Sequence, residues 1–227
     1  MTRRTLGHAR RSKDEDRRGT REHLLEAAGE VFAEKGFSGA TAKEISERAK
    51  TNSAAVNYYF GGIEPLYAAV LEEAQNRVLS VQAIEKAIEG ITDPKKRFEA
   101  IVGVVVQTLL GPVSSSWVLR VIARDMVTPS PTRDAVKERV ILPRARLLRQ
   151  FLGNLLRLPE DDPAVARACV TLMAPLFLLV LGDRRMLKRA LPSLGLDADD
   201  APALARHIAR YALAGLEATG QDARKRR

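Results

Sequence analysis

Cysteine and histidine are scarce in this chain of 227 residues, and their scarcity excludes several classes of protein. The single cysteine, Cys169, cannot form a disulfide within the chain, which is typical of a reducing cytoplasm. It lies in an apolar run and is interpreted as a packing residue. The histidines His8, His23 and His207 have no cysteine or carboxylate nearby at metal-ligand spacing. Because a nucleophile elbow and a phosphate-binding loop are also missing, the sequence indicates neither an enzyme nor a metal or cofactor site.

Long hydrophobic runs are missing as well. The longest uncharged run, from Ala168 to Gly182, is shorter than the ~20 residues that a membrane span requires, and it contains Pro175. No apolar core follows the arginines near the N-terminus, so we expect no secretory signal. The sequence therefore predicts a cytoplasmic, nucleoid-associated protein in which this run forms a buried helix, with no membrane partner.

Apolar residues and positive charge are both plentiful. Hydrophobic residues make up 45% of the chain, enough for a sizeable core, and the formal net charge is +9. Such a balance favours a nucleic acid or an anionic membrane surface as partner, without deciding between them.

The stretch from Thr41 to Phe60 predicts two short helices joined by a tight turn. Thr41 can cap the first helix, and Glu44, three residues later, completes a capping box. Asn52 is a good cap for the second helix. This arrangement is typical of a helix-turn-helix, whose second helix can enter the major groove of DNA. The exposed face of this second helix carries no carboxylate, a group that phosphate would repel. Its residues are Ser53, Ala54, Asn57, Tyr58 and Tyr59.

Another helix, at residues 20–35, is predicted in front of this pair, with Thr20 as its cap and Gly36 in the C′ position at its end. The three helices form a small unit with a shared apolar core. The expected core residues are Leu24, Ala28, Phe32, Phe37, Ile45, Ala49, Val56 and Phe60.

A longer pattern covers residues 24–67. The sequence there is LLEAAGEVFAEKGFSGATAKEISERAKTNSAAVNYYFGGIEPLY, which follows ILEAAxxLFAEKGFxxTTxxEIAxxAGVSxGxxYYHFGSKExLY without a gap. This run resembles the DNA-binding domain of the TetR-type transcriptional regulators, and VNYYFGG followed by EPLYAAVLE is similar to the CecR-like branch. The resemblance implies an all-α fold, with a three-helix helix-turn-helix domain followed by a helical ligand-binding and dimerisation domain.

The resemblance also implies where DNA is contacted, at the start of the second helix and along the third. Tyr58 matches an aromatic phosphate contact of the family. Two positions depart from the pattern: Lys50 replaces the glycine of the turn, and Ile63 replaces a lysine that would contact phosphate. Lys50 therefore either avoids a positive φ or accepts it at a cost. The implied DNA-binding residues are Thr41, Ala42, Lys43, Asn52, Ser53, Ala54, Asn57, Tyr58 and Tyr59.

The basic N-terminal arm has two interpretations. We expect it to be disordered, either as a solubilising tail or as an arm that follows phosphates or the minor groove. The expected domains are the arm at 1–19, the helix-turn-helix at 20–66, the helical effector-binding and dimerisation domain at 67–219, and a basic tail at 220–227. Within this tail, Arg224 to Arg227 are expected to be disordered.

A long helix is predicted from Ile63 to about Gly90, with Pro65 tolerated in its first turn. In the resembled family the matching helix joins the two domains, so it is the expected transmission element. A helix with Phe98, Ile101, Val102, Val105 and Leu109 is predicted after the break at residues 92–94, and Gly111-Pro112 ends it. The later helices are predicted from Ser114 to Val127, from Asp134 to Asn154, from Ala164 to Gly182, and from Ala201 to Ala218. Pro143 either kinks the helix from Asp134 or marks the place near which that helix begins.

The helix from Ala164 to Gly182 is apolar nearly all round, so we expect a second subunit to cover one of its faces. The resemblance implies that the last two long helices form a dimer interface. The expected interface residues are Val165, Leu172, Leu176, Leu204, Ile208, Tyr211 and Leu216.

A pocket for a small lipophilic or aromatic effector is expected in the same half of the chain, although its candidate residues could equally fill the core. These candidates are Trp117, Arg120, Arg124, Met126, Phe151, Met173 and Phe177.

Two functions follow from these observations. The leading hypothesis is a homodimeric transcriptional repressor that an effector releases from a palindromic operator, with half-sites about 34–36 Å apart or a multiple of that distance. The alternative is an architectural protein that binds DNA through its basic segments without reading sequence.

Overall fold

Helices account for the regular structure of the described residues, which contain no strand, as the all-α prediction required. The computed structural model describes the backbone of residues 5–225 and the side chains of that range except those at 5–16, 114, 115, 133 and 224. The helices are α1 (Thr5–Gly39), α2 (Ala42–Arg48), α3 (Ala55–Phe60), α4 (Ile63–Val78), α5 (Val81–Ile88), α6 (Pro94–Leu110), α7 (Trp117–Val127), α8 (Arg133–Val136), α9 (Leu142–Leu156), α10 (Pro163–Leu181), α11 (Arg184–Ala190) and α12 (Ala201–Lys225).

The chain divides into two compact units. The N-terminal unit contains the residues up to Glu73 together with the later segment Arg124–Val136. The C-terminal unit contains Ala74–Ala123 and the chain from Lys137 onward. Helices α4 and α7 contribute residues to each unit.

Tyr67 lies at the centre of the N-terminal unit and is only 1% exposed. The rings of Phe32 and Phe37 pack edge-on against it, with centroids at 4.7 and 5.2 Å. These contacts join Tyr67 to α1 in one unit, which extends to Glu73. Among the predicted core residues, Leu24, Ala28, Phe32, Ile45 and Val56 are buried, and Phe37, Ala49 and Phe60 are half-buried.

A segment distant in sequence completes this unit. Buried Asp125 accepts hydrogen bonds through Oδ1 from the Tyr67 hydroxyl at 3.3 Å and from the Ser130 backbone N–H at 3.2 Å. Arg124 Nη2 donates to the carbonyl oxygen of Glu34 at 3.1 Å. Burial raises the pKa of Tyr67 above its ordinary value, and the negative charge of Asp125 adds to the effect. The phenol therefore remains a neutral donor that holds the segment in place.

Both ends of the chain are more helical than the sequence predicted. Helix α1 begins at Thr5 although residues 1–19 were expected to be disordered, and α12 continues to Lys225 through the predicted tail. Residues 5–19 contain no proline and are rich in arginine, which favours helix, and Asp14 and Arg18 have the spacing of a helical ion pair. Gly36, with φ +74°, marks the predicted end of the first straight segment. Residues 1–4 and 226–227 lie outside the described residues.

The predicted helix from Ile63 to Gly90 is two helices. Helix α4 ends at Val78, and α5 begins at Val81. Ser80 lies between them in an extended conformation, and its Oγ accepts a hydrogen bond from the Ala83 backbone N–H at 3.3 Å. Ser80 is thus an N-cap, which the apolar periodicity of the stretch concealed.

In the C-terminal unit, α6 packs against α5, α10 and α12, and α10 packs against α9 and α12. A π-helical turn at Lys137–Ile141 precedes α9, where the sequence predicted a kink. Pro143 is its physical cause, because proline has no N–H with which to continue the helical hydrogen bonds. Helix α11 was not predicted. Asp183 caps it, because its Oδ1 accepts hydrogen bonds from the backbone N–H groups of Arg185 at 2.8 Å and Met186 at 3.3 Å.

Helix α10 has two apolar faces, and only 28% of its most apolar window is buried within the chain. By length and composition it could cross a membrane. One face, with Val165 and Leu172, packs into the core of the unit, as do Ile208 and Leu216 of α12, so these four residues are not available to a dimer interface as predicted. Leu176 and Leu204 are half-buried and Tyr211 is exposed. The opposite face of α10 exposes Val170, Phe177, Leu178 and Leu181, which the prediction omitted.

Candidate nucleic-acid interface

The start of α2 carries the first group of candidate DNA contacts. Thr41 is extended at φ −126°, and its Oγ1 accepts a hydrogen bond from the Glu44 backbone N–H at 3.2 Å, which is one half of the predicted capping box. The Glu44 carboxylate, which would form the other half, pairs with Lys35. This cap fixes the first turn of the helix. It leaves Thr41 and Lys43 exposed and Ala42 half-buried.

The turn between α2 and α3 depends on an unusual lysine. Lys50 adopts φ +54°, in the left-handed region. This conformation lets the backbone N–H groups of Lys50 and Thr51 donate to carbonyl oxygens of the last turn of α2, at 3.1 and 2.9 Å. The lysine thus accepts the positive φ for which the family uses glycine.

Asn52 supports the start of α3 from two residues before the N-cap position. Its Oδ1 accepts a hydrogen bond from the Ala54 backbone N–H at 3.0 Å, and Ala54 is the residue at the N-cap. The prediction that Asn52 itself caps the helix is therefore corrected, because the chain first makes a short side-chain turn. Asn52, Ser53 and Ala54 are exposed as a result.

Helix α3 presents a polar and aromatic face. Ala55 and Val56 are buried against the unit, whereas Asn57 and Tyr58 are exposed, Tyr58 by 62%. The half-buried Tyr59 packs edge-on against Tyr58, with ring centroids 4.9 Å apart. A large aromatic side chain that is this exposed offers a hydroxyl and a ring face to a partner.

Two arginines of α1 lie against this helix: Arg17, which belongs to the predicted basic arm, and Arg21, for which the sequence indicated no contact. The guanidinium of Arg17 lies 5.5 Å from the Tyr58 ring centroid and donates to the Tyr58 hydroxyl. Arg21, one helical turn later, lies 4.8 Å from the Phe60 ring centroid. Their four-residue spacing, which continues the helical period of α1, is the signal that could have identified them.

The charged residues of the N-terminal unit divide into structural cations and surface cations. Arg48 binds Glu34 through two hydrogen bonds of 2.8 and 2.9 Å, and this pairing raises the pKa of Arg48. Lys35 forms an ion pair with Glu44 at 2.8 Å. By contrast, the side chain of Lys43 is 81% exposed, and its separation from Glu47 is 3.9 Å. Lys43 therefore resembles a contact for a phosphate more than a structural cation.

The predicted effector residues do not form one cluster. Trp117 is buried in the C-terminal unit, and Arg77 lies 5.1 Å from its ring centroid. Arg124 and Met126 lie in the N-terminal unit, so a pocket within the C-terminal unit does not include them. Arg120 is exposed, Phe151 stacks with Phe98 at 6.3 Å, Met173 is half-buried and Phe177 is exposed.

The C-terminal unit has an open groove of about 700 Å³ between α5 and α6. Glu85, Lys86, Glu89 and Arg97 contribute charges of both signs to its lining. It includes none of the predicted effector residues, which stay a prediction.

Two family models match the chain, and together they cover most of it. The model described as "Bacterial regulatory proteins, tetR family" matches residues 24–70, which include α2 and α3. The model described as "HTH-type transcriptional dual regulator CecR, C-terminal domain" matches residues 94–218, more than half of the chain.

Curated relatives match over part of their length. The repressor NicS of Pseudomonas putida is 34% identical over 95 residues, which are 42% of this chain and 43% of NicS. The activator FasR of Mycolicibacterium smegmatis is 32% identical over 99 residues, 44% of each protein. The matched part thus spans less than half the length of either relative.

Solved structures share the fold over nearly the whole chain. The fatty acid degradation regulator FadR from Bacillus halodurans aligns with a TM-score of 0.65 and 18% identity, covering 87% of this chain and 96% of FadR. AibR, solved in complex with isovaleryl coenzyme A and operator DNA, aligns with a TM-score of 0.60 and 13% identity, covering 81% and 94%. At these identities the likeness describes the fold.

Proposed function

Because this chain belongs to the TetR family of bacterial regulatory proteins and carries a CecR-type C-terminal domain, we propose that it is a DNA-binding transcriptional regulator. The observation that carries the proposal is the exposed face of α3, where Asn57 and Tyr58 lie on a helix whose start is fixed by the side-chain turn at Asn52 and the positive φ of Lys50. Such a helix suits the major groove, where side-chain amides read base edges. An architectural protein would not need an amide at this position.

The proposal assigns different roles to two exposed side chains. Asn57 can form paired hydrogen bonds with an adenine edge, so it is the proposed base-reading residue. Lys43, at the start of α2, neutralises phosphate and carries no sequence information. The hydroxyl of Tyr58, next to Asn57, can form a hydrogen bond with a phosphate.

Fluorescence anisotropy titrations against the DNA upstream of the protein's own gene, and against random DNA, test this assignment. We expect Asn57→Ala to change the ranking of sequences and Lys43→Ala to weaken all sequences alike, with a salt slope smaller by about 1. Lys95→Ala, a change in the C-terminal unit, is the control. Equal affinity for both DNAs at physiological salt would favour the architectural alternative.

We propose further that two copies act together as a homodimer through the exposed face of α10. Val170, Leu178 and Leu181 lie on this face and are exposed in the single chain. An apolar surface of this kind is typical of an interface, and a second copy of the chain would cover it. A symmetric dimer presents two copies of α3 to the two halves of a palindrome.

The last proposal is that the protein is a repressor released by a small lipophilic or aromatic effector in the C-terminal unit. It is supported by the AibR complex, in which a protein of this fold holds an acyl-coenzyme A and operator DNA. Thermodynamic linkage requires the effector to weaken DNA binding by the same factor by which DNA weakens effector binding, typically about 5–150-fold. A compound that raises the melting temperature without changing DNA affinity would refute the coupling.

A further inference from the structure

The first turn of helix α9 contains a half-buried arginine whose hydrogen bonds are incomplete. Arg144 lies in the C-terminal unit, and its Nη2 donates to Asn76 Oδ1 at 2.7 Å. Its Nη1 is buried and has no hydrogen-bond partner among the residues that the structure describes. Native proteins rarely leave a buried donor unpaired, least of all on a charged group, so this atom calls for an explanation.

The charge of Arg144 is also unbalanced locally. Its partner Asn76 is a neutral amide, and within residues 17–225 no carboxylate forms an ion pair with it. Burial lowers the pKa of Arg144 from its ordinary value, but a guanidinium stays charged at neutral pH. The chain thus holds a positive charge partly out of water, with part of its donor edge unused.

The backbone next to Arg144 is irregular. The π-helical turn at Lys137–Ile141 and Pro143 immediately precede it, and such turns are frequent at functional sites. Arg146, two residues later on the same helix, is exposed, as expected of a solvated arginine. The contrast singles out Arg144 from the other basic residues of this stretch.

We infer that Arg144 and Asn76 form a binding subsite for the oxyanion of a small molecule, a carboxylate or a phosphate. Asn76 turns its Oδ1 towards Arg144, so its Nδ2 is directed away from the arginine and can donate to the ligand. Arg144 Nη1 and Asn76 Nδ2 would then supply two donors for two oxygens of one anion. This inference rests on the proposed effector response and deepens it: the effector is anionic at one end and lipophilic at the other.

Three probes with the same eight-carbon chain test the subsite on the full-length protein: octanoate, octyl phosphate and octan-1-ol. Melting temperature and calorimetric titration should show that one of the two anions binds and that the neutral alcohol binds more weakly. Arg144→Gln should lower the affinity for that anion about tenfold or more, whereas the matched variant Arg146→Gln should leave this affinity unchanged. Whichever anion binds better distinguishes a carboxylate from a phosphate.

A second variant separates ligand binding from a structural role. Because Arg144→Met removes an unpaired charge, its melting temperature without ligand should equal or exceed that of the original chain. A lower value, anions no better than octan-1-ol, or full anion affinity in Arg144→Gln would overturn the inference. DNA affinity without ligand should be unchanged in these variants. If the original chain binds no DNA specifically, the regulatory function fails, but the ligand titrations still decide the subsite.

Discussion

Lys50 occupies a backbone conformation that its side chain disfavours. A residue other than glycine costs roughly 1–2 kcal/mol in the left-handed region, and Lys50 has φ +54°. Lys50→Gly relieves this strain, but glycine also has more conformational entropy in the unfolded state, which offsets part of the gain. The net effect should therefore be a stabilisation of about 1 kcal/mol. Urea unfolding followed by circular dichroism measures the difference. Lys43→Gly, inside α2, is the control and should destabilise by about 1 kcal/mol.

A reason to keep this lysine is its charge. The chain has Ile63 where the family has a phosphate-binding lysine, and Lys50 is exposed beside the recognition helix α3. If Lys50 contacts phosphate in its place, Lys50→Gly weakens DNA binding while it stabilises the fold, a trade that is common at functional positions. A variant that is less stable would contradict the strain argument, and one with unchanged DNA affinity would contradict the contact.

Tyr67 links stability to pH through its buried hydroxyl. Tyr67→Phe removes the hydrogen bond to Asp125 and should destabilise the protein by about 1–2 kcal/mol at neutral pH. Because the folded pKa lies above the ordinary value of 10.0, the contribution is fully present below pH 10. It is lost as pH rises from there towards the folded pKa, since only the unfolded phenol ionises readily.

Unfolding free energies between pH 7 and pH 11 check this prediction. The stability of the original chain should fall above pH 10 more steeply than that of Tyr67→Phe. The exposed Tyr211→Phe should follow the original chain. Parallel curves for the original chain and Tyr67→Phe would mean that the Tyr67 hydroxyl is not buried as described.

At the scale of the element, α1 contacts α3, the proposed DNA-reading helix, through Arg17. Its guanidinium lies on Tyr58, next to the face that is proposed to contact DNA. We expect Arg17→Gln to weaken binding to all DNA sequences and to reduce the salt slope by about 1, since a phosphate contact carries no sequence preference. Arg206→Gln, at an exposed position of α12, is the control. An unchanged slope would leave the arm as a solubilising segment.

Sequence patterns predicted the elements well where local signals agreed. The N-cap at Thr41 places the beginning of α2, and the prolines at the starts of α6 and α10 place the beginnings of those helices, because each acts through the nearest backbone groups. The predictions were wrong where two local signals in the same stretch favoured different structures. The apolar period of the stretch from Ile63 to Gly90 concealed the Ser80 cap, and the charge of the N-terminal arm suggested disorder in a helix-competent segment.

Long-range contacts escaped prediction for a different reason. The sequence does not indicate that Asp125 meets Tyr67, or that Arg144 reaches Asn76, because no local pattern joins positions so far apart. The dimer residues illustrate the same limit on α10. Its all-round apolarity predicted two covered faces, but which face belongs to the core depends on the packing of α9 and α12 against it.

At the scale of the whole molecule, the proposed dimer depends on the exposed face of α10. Leu178 is 53% exposed on this face, and burying such side chains contributes about 25 cal/mol per Å². Leu178→Glu places a charge where a second chain would pack, so it should dissociate the dimer without unfolding the protomer. Sedimentation should then give the mass of one chain at micromolar concentration, with unchanged helical circular dichroism.

The loss of assembly also has a consequence for DNA. A dimer binds two half-sites, and the second contact is strengthened by the high effective concentration that the first one creates. Leu178→Glu should therefore bind a palindrome no better than a single half-site, although α3 itself is unchanged. Leu147→Glu, at a site 64% exposed on α9, should keep both the dimer mass and the preference for the palindrome. If Leu178→Glu stays dimeric, the exposed face of α10 is not the interface, and another surface must hold the two copies of α3 together.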